Sequence, residues 1–261
     1  MEAAEFPGAG MQKILEIKDL KKTFYIKKTP FTAVDGVSFD LIRGECLGLV
    51  GESGCGKSTM AKIITRLMEP DEGSILVDGT ETLNLKGKNL KKLYQKVQMV
   101  FQTPQDSFDP RHTLGDGIME SMRNLGISRK MARERAYELL KLVELEPFFA
   151  SRYPHEVSGG QCQRAAIARA LATEPELIIC DEATSALDVT VQAQIIELLK
   201  RLQKENGLSL LLICHDLALV QNFCTRVLVM YRGKIVEEGI PDEVIRNPQN
   251  EYTRVLVDSV F

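Results

Sequence analysis

The first part of the chain alternates apolar and polar residues. Residues 14–20 and 34–42 show this alternation, which is typical of strands with one buried face, and a polar, lysine-rich connection separates them. We therefore predict an antiparallel layer of strands near the N-terminus.

Predominantly apolar runs of strand length follow further along the chain. Such runs are typical of strands buried on both faces of a parallel sheet, and they lie at residues 47–50, 97–101, 177–180 and 208–214. A hairpin at residues 227–238, turned by Arg232 and Gly233, is predicted to end the sheet. The pattern predicts an α/β domain.

The segment between the second and third of these runs has a helical pattern. It is clearest over residues 131–145, where apolar residues form one stripe at helical spacing: Ala132, Ala136, Leu139, Leu140 and Val143. We predict a mostly helical insertion into the α/β domain.

Composition removes several classes of protein. The chain has 261 residues with a formal net charge of −3, so no basic excess favours a nucleic-acid partner. No apolar run approaches the roughly 18 residues that span a bilayer, and residues 1–10 lack the basic and apolar regions of a signal peptide. The six cysteines show no metal-ligand spacing and are predicted to be reduced, buried thiols of a cytosolic protein.

One glycine-rich stretch carries specific chemistry. It reads GESGCGKST, fits GxxxxGK[ST] in full and lies between an apolar strand and a helix-compatible run. The predicted nucleotide-binding residues are Gly51, Glu52, Ser53, Gly54, Cys55, Gly56, Lys57, Ser58 and Thr59. In this pattern backbone N–H groups surround phosphate oxygens, Lys57 reaches the β- and γ-phosphates, and Ser58 offers its hydroxyl to Mg²⁺.

Polar residues also follow the other buried strands. Gln102 follows the second run, Asp181 and Glu182 follow the third, and His215 follows the fourth. Adjacent carboxylates at a strand end point to opposite sides, so one can face Mg²⁺ and the other a water molecule beside the γ-phosphate. His215 is placed for phosphate contact, although a lone histidine is more often structural, and Gln102 alone is a weak indication.

Two further features of the sequence each allow two interpretations. Ser158 followed by Gly159 and Gly160 is either a second anion site at a helix N-terminus or an ordinary capped helix. Phe24 and Tyr25 either stack on a nucleotide base or cover the edge of a sheet, and the sequence does not choose between the two rings.

Taken in order, GESGCGKS, Gln102, VSGGQ, LIICDE, SALD and His215 resemble the ATP-binding cassette (ABC) ATPases. The resemblance covers about residues 12–247. It implies a P-loop NTPase (RecA-like) core with a mainly parallel sheet, an antiparallel β subdomain and a helical subdomain at about 104–172. Residues 1–11 and 248–261 would be short tails.

The resemblance also implies roles for single residues. Lys57, Ser58 and Asp181 would hold ATP and Mg²⁺, with Gln102 beside the metal and linking the site to a partner. Glu182 would be the general base, and His215 would contact the γ-phosphate. Two further groups would meet a second subunit: the signature residues Ser158, Gly159, Gly160 and Gln161, and the D-loop residues Ser185, Ala186, Leu187 and Asp188.

Finer motifs narrow the resemblance. QDSFDPR, RYPHEVSGGQCQR, DVTVQAQI and NPQNEYTRVL look like the ATPase subunits of oligopeptide, dipeptide and nickel importers, although Ala183 stands where that family usually has proline. This implies membrane permease subunits and a second ABC ATPase, identical or related, as partners. A substrate-binding protein would be an indirect partner, and the chain would sit on the cytoplasmic side of the membrane.

A soluble accessory ATPase of a multienzyme complex, such as those of phosphonate breakdown, is the alternative. A nucleic-acid-associated ABC ATPase is disfavoured because the chain has neither long coiled insertions nor a second cassette.

Overall fold

The computed structural model describes residues 12–183 and 187–259. Over these ranges the strands form one six-stranded and one four-stranded sheet. The strands are β1 (Lys13–Ile26), β2 (Thr29–Ile42), β3 (Cys46–Val50), β4 (Glu72–Val77), β5 (Thr80–Glu81), β6 (Val97–Val100), β7 (Leu177–Asp181), β8 (Ser209–Cys214), β9 (Arg226–Tyr231) and β10 (Lys234–Gly239). The helices are α1 (Lys57–Ile64), α2 (Gly87–Lys96), α3 (Leu114–Asn124), α4 (Arg129–Leu142), α5 (Gly159–Leu171), α6 (Val189–Asn206), α7 (Leu217–Phe223), α8 (Pro241–Arg246) and α9 (Glu251–Asp258).

The larger sheet contains the predicted apolar runs. Its strand order is β10-β9-β3-β8-β7-β6, with every neighbouring pair parallel except β9 and β10. Every residue of β3, β7 and β8 is buried. The parallel sheet predicted from the apolar runs is therefore confirmed.

Alternate residues of each parallel strand enter different cores. On β8, Leu210 and Leu212 pack in a cluster with the helices α3 to α7, whereas Leu211 and Ile213 pack in a cluster with α1 and the antiparallel strands. Successive side chains of a strand point to opposite faces, so the sheet separates the two clusters. A strand with apolar neighbours on both sides reads as an unbroken apolar run.

The smaller sheet has the order β2-β1-β4-β5 and confirms the antiparallel layer, with longer strands than predicted. The lysine-rich segment expected to be a connection continues β1, and Phe24 pairs with Phe31 across the hairpin. Aromatic and β-branched residues favour an extended backbone even where their side chains are exposed. The turn falls at Lys27 and Lys28, which have φ values of 49° and 71°.

The helical insertion is confirmed over α3, α4 and α5. In α4 the buried residues are Ala132, Ala136, Leu139 and Leu140. Gly126 with φ 89° ends the preceding helix, and Ser128 begins α4 by accepting a hydrogen bond from Met131 N.

Residues 251–258 form α9, where the sequence indicated only a short tail. Leu256 and Val257 bury this helix against the helical core, and Asn250 caps its start by accepting from Tyr252 N. A helix of 8 residues is too short for its periodicity to stand out in the sequence. Among the residues that the structure describes, no helix has the length and apolar character needed to cross a bilayer.

Candidate active site

The parallel sheet brings the predicted polar residues to one edge. In its register Val50 pairs with Cys214, Asp181 with Ile213, and Val100 with Cys180. Because β3, β6, β7 and β8 run parallel, their carboxyl ends meet at the same edge. The glycine loop, Gln102, Glu182 and His215 all follow these ends.

The glycine loop connects β3 to α1 and is packed tightly against neighbouring backbone. A Cβ atom on Gly51, which has φ 153°, would lie 2.2 Å from the carbonyl oxygen of Met230. A Cβ on Gly56, which has φ 117°, would lie 2.1 Å from the carbonyl oxygen of Ala33. Gly56 is also the N-cap of α1, so the loop leads directly into the N–H groups of that helix.

Lys57 folds back into this loop. Only 3% of it is exposed, and its Nζ donates to the carbonyl oxygens of Gly51 at 2.7 Å and Glu52 at 2.9 Å. The ammonium is therefore held beside the loop in which the phosphate groups of a nucleotide would lie.

Ser58 and Asp181 converge from different elements. The Ser58 hydroxyl donates to Asp181 Oδ1 at 3.0 Å. Burial raises the pKa of Asp181, the charge of Glu182 raises it further, and the Ser58 hydrogen bond opposes both effects. A cation at this point would favour the charged carboxylate, and a hydroxyl beside a carboxylate is the oxygen chemistry that suits Mg²⁺.

Glu182 has different partners from Asp181. Its carboxylate Oε2 accepts a hydrogen bond from Gln102 Nε2 at 2.9 Å, and its N–H donates to the carbonyl oxygen of Ile213 at 2.8 Å. Glu182 also has φ 46°, an unusual value for a residue other than glycine. The backbone thus turns sharply at this residue, and the two adjacent carboxylates serve different neighbours.

His215 is exposed just after β8, at the same sheet edge. The next residue, Asp216, caps α7 by accepting hydrogen bonds from Ala218 N at 2.9 Å and Leu219 N at 3.1 Å. The aspartate therefore has a structural role, and the histidine side chain is open to a ligand at this edge.

Ser158 begins α5 with a reciprocal cap. Its Oγ accepts from Gln161 N, while Gln161 Oε1 accepts from Ser158 N at 3.0 Å. A Cβ on Gly160 would lie 2.5 Å from Val191 Cγ1, so this glycine lets α6 approach closely. Packing against Val191 is therefore one reason for a glycine at position 160. The cap shows that α5 begins as an ordinary capped helix, and such a helix N-terminus can also bind an anion.

The structure describes two of the four predicted D-loop residues, Leu187 and Asp188. Asp188 caps α6 by accepting from Val191 N at 3.0 Å, and Leu187 lies against the helical core. Ser185 and Ala186 lie outside the described residues.

A cavity of about 380 Å³ lies beside the glycine loop. Phe31 and Thr32 of the hairpin line it, together with Glu52, Ser53, Gly54, Cys55, Tyr231, Arg232 and Gly233. Directly paired residues of an antiparallel hairpin share a face, so Phe24 is on the same face as Phe31. Its neighbour Tyr25 is on the other face and is 74% exposed.

One contact of the loop was missed by sequence reasoning. Tyr252 of α9 stacks on Tyr231 with ring centroids 4.1 Å apart, and its hydroxyl accepts a hydrogen bond from Glu52 N at 2.9 Å. Glu52 and Tyr252 are 200 positions apart in the sequence, so no local pattern could indicate this contact.

Known proteins with sequences similar to this chain are ATP-binding proteins, in agreement with the nucleotide site that the glycine loop indicates. A family model described as ABC transporter matches residues 34–185. The chain is 49% identical to the oligopeptide transport ATP-binding protein OppF of Escherichia coli (strain K12), over 97% of this chain and 76% of that protein. It is 48% identical to the OppF of Bacillus subtilis (strain 168), over 95% of this chain and 83% of that protein.

Solved structures show the same fold. The dimer of an ATP-binding cassette in a post-hydrolysis state, bound to ADP and Pi, superposes with a TM-score of 0.80 at 34% identity, covering 87% of this chain and 98% of that one. The structure of cbiO1 from Clostridium perfringens, part of an ABC transporter complex, superposes with a TM-score of 0.78 at 29% identity, covering 94% of this chain and 98% of that one.

Proposed function

Because the chain belongs to the ABC transporter ATPase family, we propose that it is the ATP-hydrolysing subunit of an importer for peptides. The observation that carries this proposal is near-50% identity, over almost the whole chain, to two proteins named for oligopeptide transport. Neither name mentions nickel or metal chelates. They also give no support to the accessory ATPase of a multienzyme complex.

The phosphate groups of ATP would bind in the glycine loop. Lys57 already lies within the loop, and its ammonium has three donors, so it would donate to phosphate oxygens while keeping the Gly51 carbonyl as one acceptor. Since the hydroxyl proton of Ser58 points to Asp181, the lone pairs of Ser58 can face a metal. Mg²⁺ bound by Ser58, Asp181 and Gln102 would neutralise charge that develops on the phosphates.

Glu182 would accept the proton of the attacking water. The Gln102 amide holds one carboxylate oxygen, and the backbone hydrogen bond to Ile213 fixes the position of the residue. A base held in this way needs little reorganisation when the proton moves. His215 would contact the γ-phosphate from the end of the adjacent strand.

The signature residues Ser158 to Gln161 would contact ATP bound to a second cassette. This is supported by the dimeric cassette to which the chain is similar and by the cap that presents the start of α5. Leu187 and Asp188 would lie in the same interface. Hydrolysis would then require a dimer, and a permease bound on the membrane would receive the movement.

Phe24 is proposed as the residue that stacks on adenine, because it shares its hairpin face with Phe31 beside the loop. We expect Phe24→Ala to weaken ATP binding roughly tenfold, since the base loses an aromatic surface. Tyr25→Ala should change the affinity less than about twofold because its ring is exposed on the opposite face. Titration calorimetry with Mg-ATP measures both, and the reverse ranking would assign the base to Tyr25.

The peptide-importer proposal is tested by identifying the partners of the chain. We expect the Glu182→Gln protein, trapped with ATP in mildly solubilised membranes of its own organism, to co-purify with an integral permease. Proteoliposomes of the same complex assembled with the parent chain, which keeps Glu182, and supplied with its substrate-binding protein should hydrolyse ATP faster with short peptides and not with nickel chelates. Recovery of soluble enzymes alone would replace the importer by the accessory-ATPase alternative.

A further inference from the structure

Helix α9 contacts the glycine loop through one side chain. The Tyr252 hydroxyl accepts a hydrogen bond from Glu52 N at 2.9 Å, and its ring stacks on Tyr231 at the end of β9. Burial raises the pKa of Tyr252, so the phenol stays neutral and can accept this hydrogen bond at physiological pH.

The start of α9 is held firmly enough to place this hydroxyl. Glu237 of β10 accepts hydrogen bonds from Gln249 N at 2.8 Å and Asn250 N at 3.0 Å, and Asn250 in turn caps the helix through Tyr252 N. The following Thr253 is fully buried. Contacts on both sides of Tyr252 therefore fix its backbone.

The hydrogen bond acts on a peptide group that also holds Lys57. The N–H of Glu52 and the carbonyl of Gly51 belong to the same planar peptide unit and point in opposite directions. Tyr252 accepts from the N–H, while Lys57 Nζ donates to the carbonyl at 2.7 Å. One peptide plane is thus held from both ends, by the tyrosine outside the loop and by the lysine inside it.

We propose that Tyr252 is a positioning residue of the ATP site, which keeps the Gly51–Glu52 peptide oriented so that its carbonyl holds Lys57 in the phosphate-binding position. The tyrosine acts through the peptide and touches no reacting atom. The inference depends on ATP binding and not on the importer proposal, so the two can fail separately.

The test is Tyr252→Phe, which keeps the stacked ring and removes only the hydroxyl. We expect Mg-ATP to bind the full-length variant about three- to tenfold more weakly, because the unpaired peptide can rotate and release Lys57. The midpoint of thermal unfolding without nucleotide should stay within about 2 °C of the parent protein. Amide hydrogen exchange of residue 52 should become faster in the nucleotide-free variant.

Tyr137→Phe is the matched control. The Tyr137 hydroxyl also accepts one hydrogen bond, from Arg133 Nε at 2.9 Å, but it lies on α4 away from the loop. This variant should leave both ATP affinity and exchange at residue 52 unchanged.

Two outcomes would overturn the proposal. Unchanged ATP affinity in Tyr252→Phe would mean that the hydrogen bond does not position the loop. The tyrosine would only stabilise the fold if the variant lost ATP affinity, its midpoint of thermal unfolding also fell by more than about 2 °C, and hydrogen exchange at residue 52 stayed unchanged.

Discussion

Replacing Glu182 by glutamine is expected to lower the rate of ATP hydrolysis by about 10²- to 10⁴-fold while ATP still binds. The amide has the shape of the carboxylate, and its oxygen can still accept the hydrogen bond from Gln102. It cannot take a proton from water, so the chemical step loses its base. Phosphate release measured in the assembled complex, beside nucleotide binding measured by calorimetry, separates the two effects.

The control for this variant is Glu174→Gln. Glu174 is an exposed residue whose carboxylate pairs with Arg135 at 3.2 Å, remote from the strand ends that carry the site. Losing an exposed ion pair has little effect on stability, so turnover should be unchanged. Normal turnover in Glu182→Gln would exclude Glu182 as the base and direct attention to another residue of this sheet edge.

Replacing Gly56 by alanine is expected to abolish measurable ATP binding, a loss of more than about 100-fold in affinity. The new Cβ would lie 2.1 Å from the Ala33 carbonyl oxygen, and Gly56 has φ 117°, where a side chain is strained. Ala33 lies between Thr32 and Val34, which both pair with β1, so a large movement of its carbonyl would disturb that pairing and we expect the loop to shift instead. Calorimetry and thermal unfolding without nucleotide measure the two consequences.

Gly79→Ala separates backbone strain from the steric contact. Gly79 has φ 70° in the turn between β4 and β5, and no atom lies within 4 Å of the position that a Cβ would take there. The substitution should cost about 1 kcal/mol of stability and leave ATP binding intact. If Gly56→Ala bound ATP as tightly as the parent protein, the close packing between the loop and β2 would not control the site.

The parts of the site that could be predicted from the sequence are the polar residues that directly follow an apolar, strand-forming run. The glycine loop, Asp181 and Glu182 each follow a continuous apolar run, and a parallel sheet brings the ends of such runs together. Their relative placement could therefore be anticipated before any distance was known. The motif order then indicated the family, which the comparisons confirm.

Long-range contacts between short elements could not be predicted in the same way. Tyr252 reaches Glu52 because α8 and α9 return the chain to the glycine loop, and neither helix is long enough for a clear periodicity. The proposal of Phe24 over Tyr25 rests on strand register, which adjacent aromatic residues in a sequence do not reveal. Gly160 looked like part of an anion site, and only the packing of Val191 showed a second reason for glycine there.

The alternation of side chains across the parallel sheet gives the molecule two separately packed halves. Helix α1, which follows the glycine loop, packs in one half, and α5, which is capped by Ser158, packs in the other. If the proposed function holds, substitutions that adapt the helical half to a different partner would leave the packing of the half around α1 unchanged.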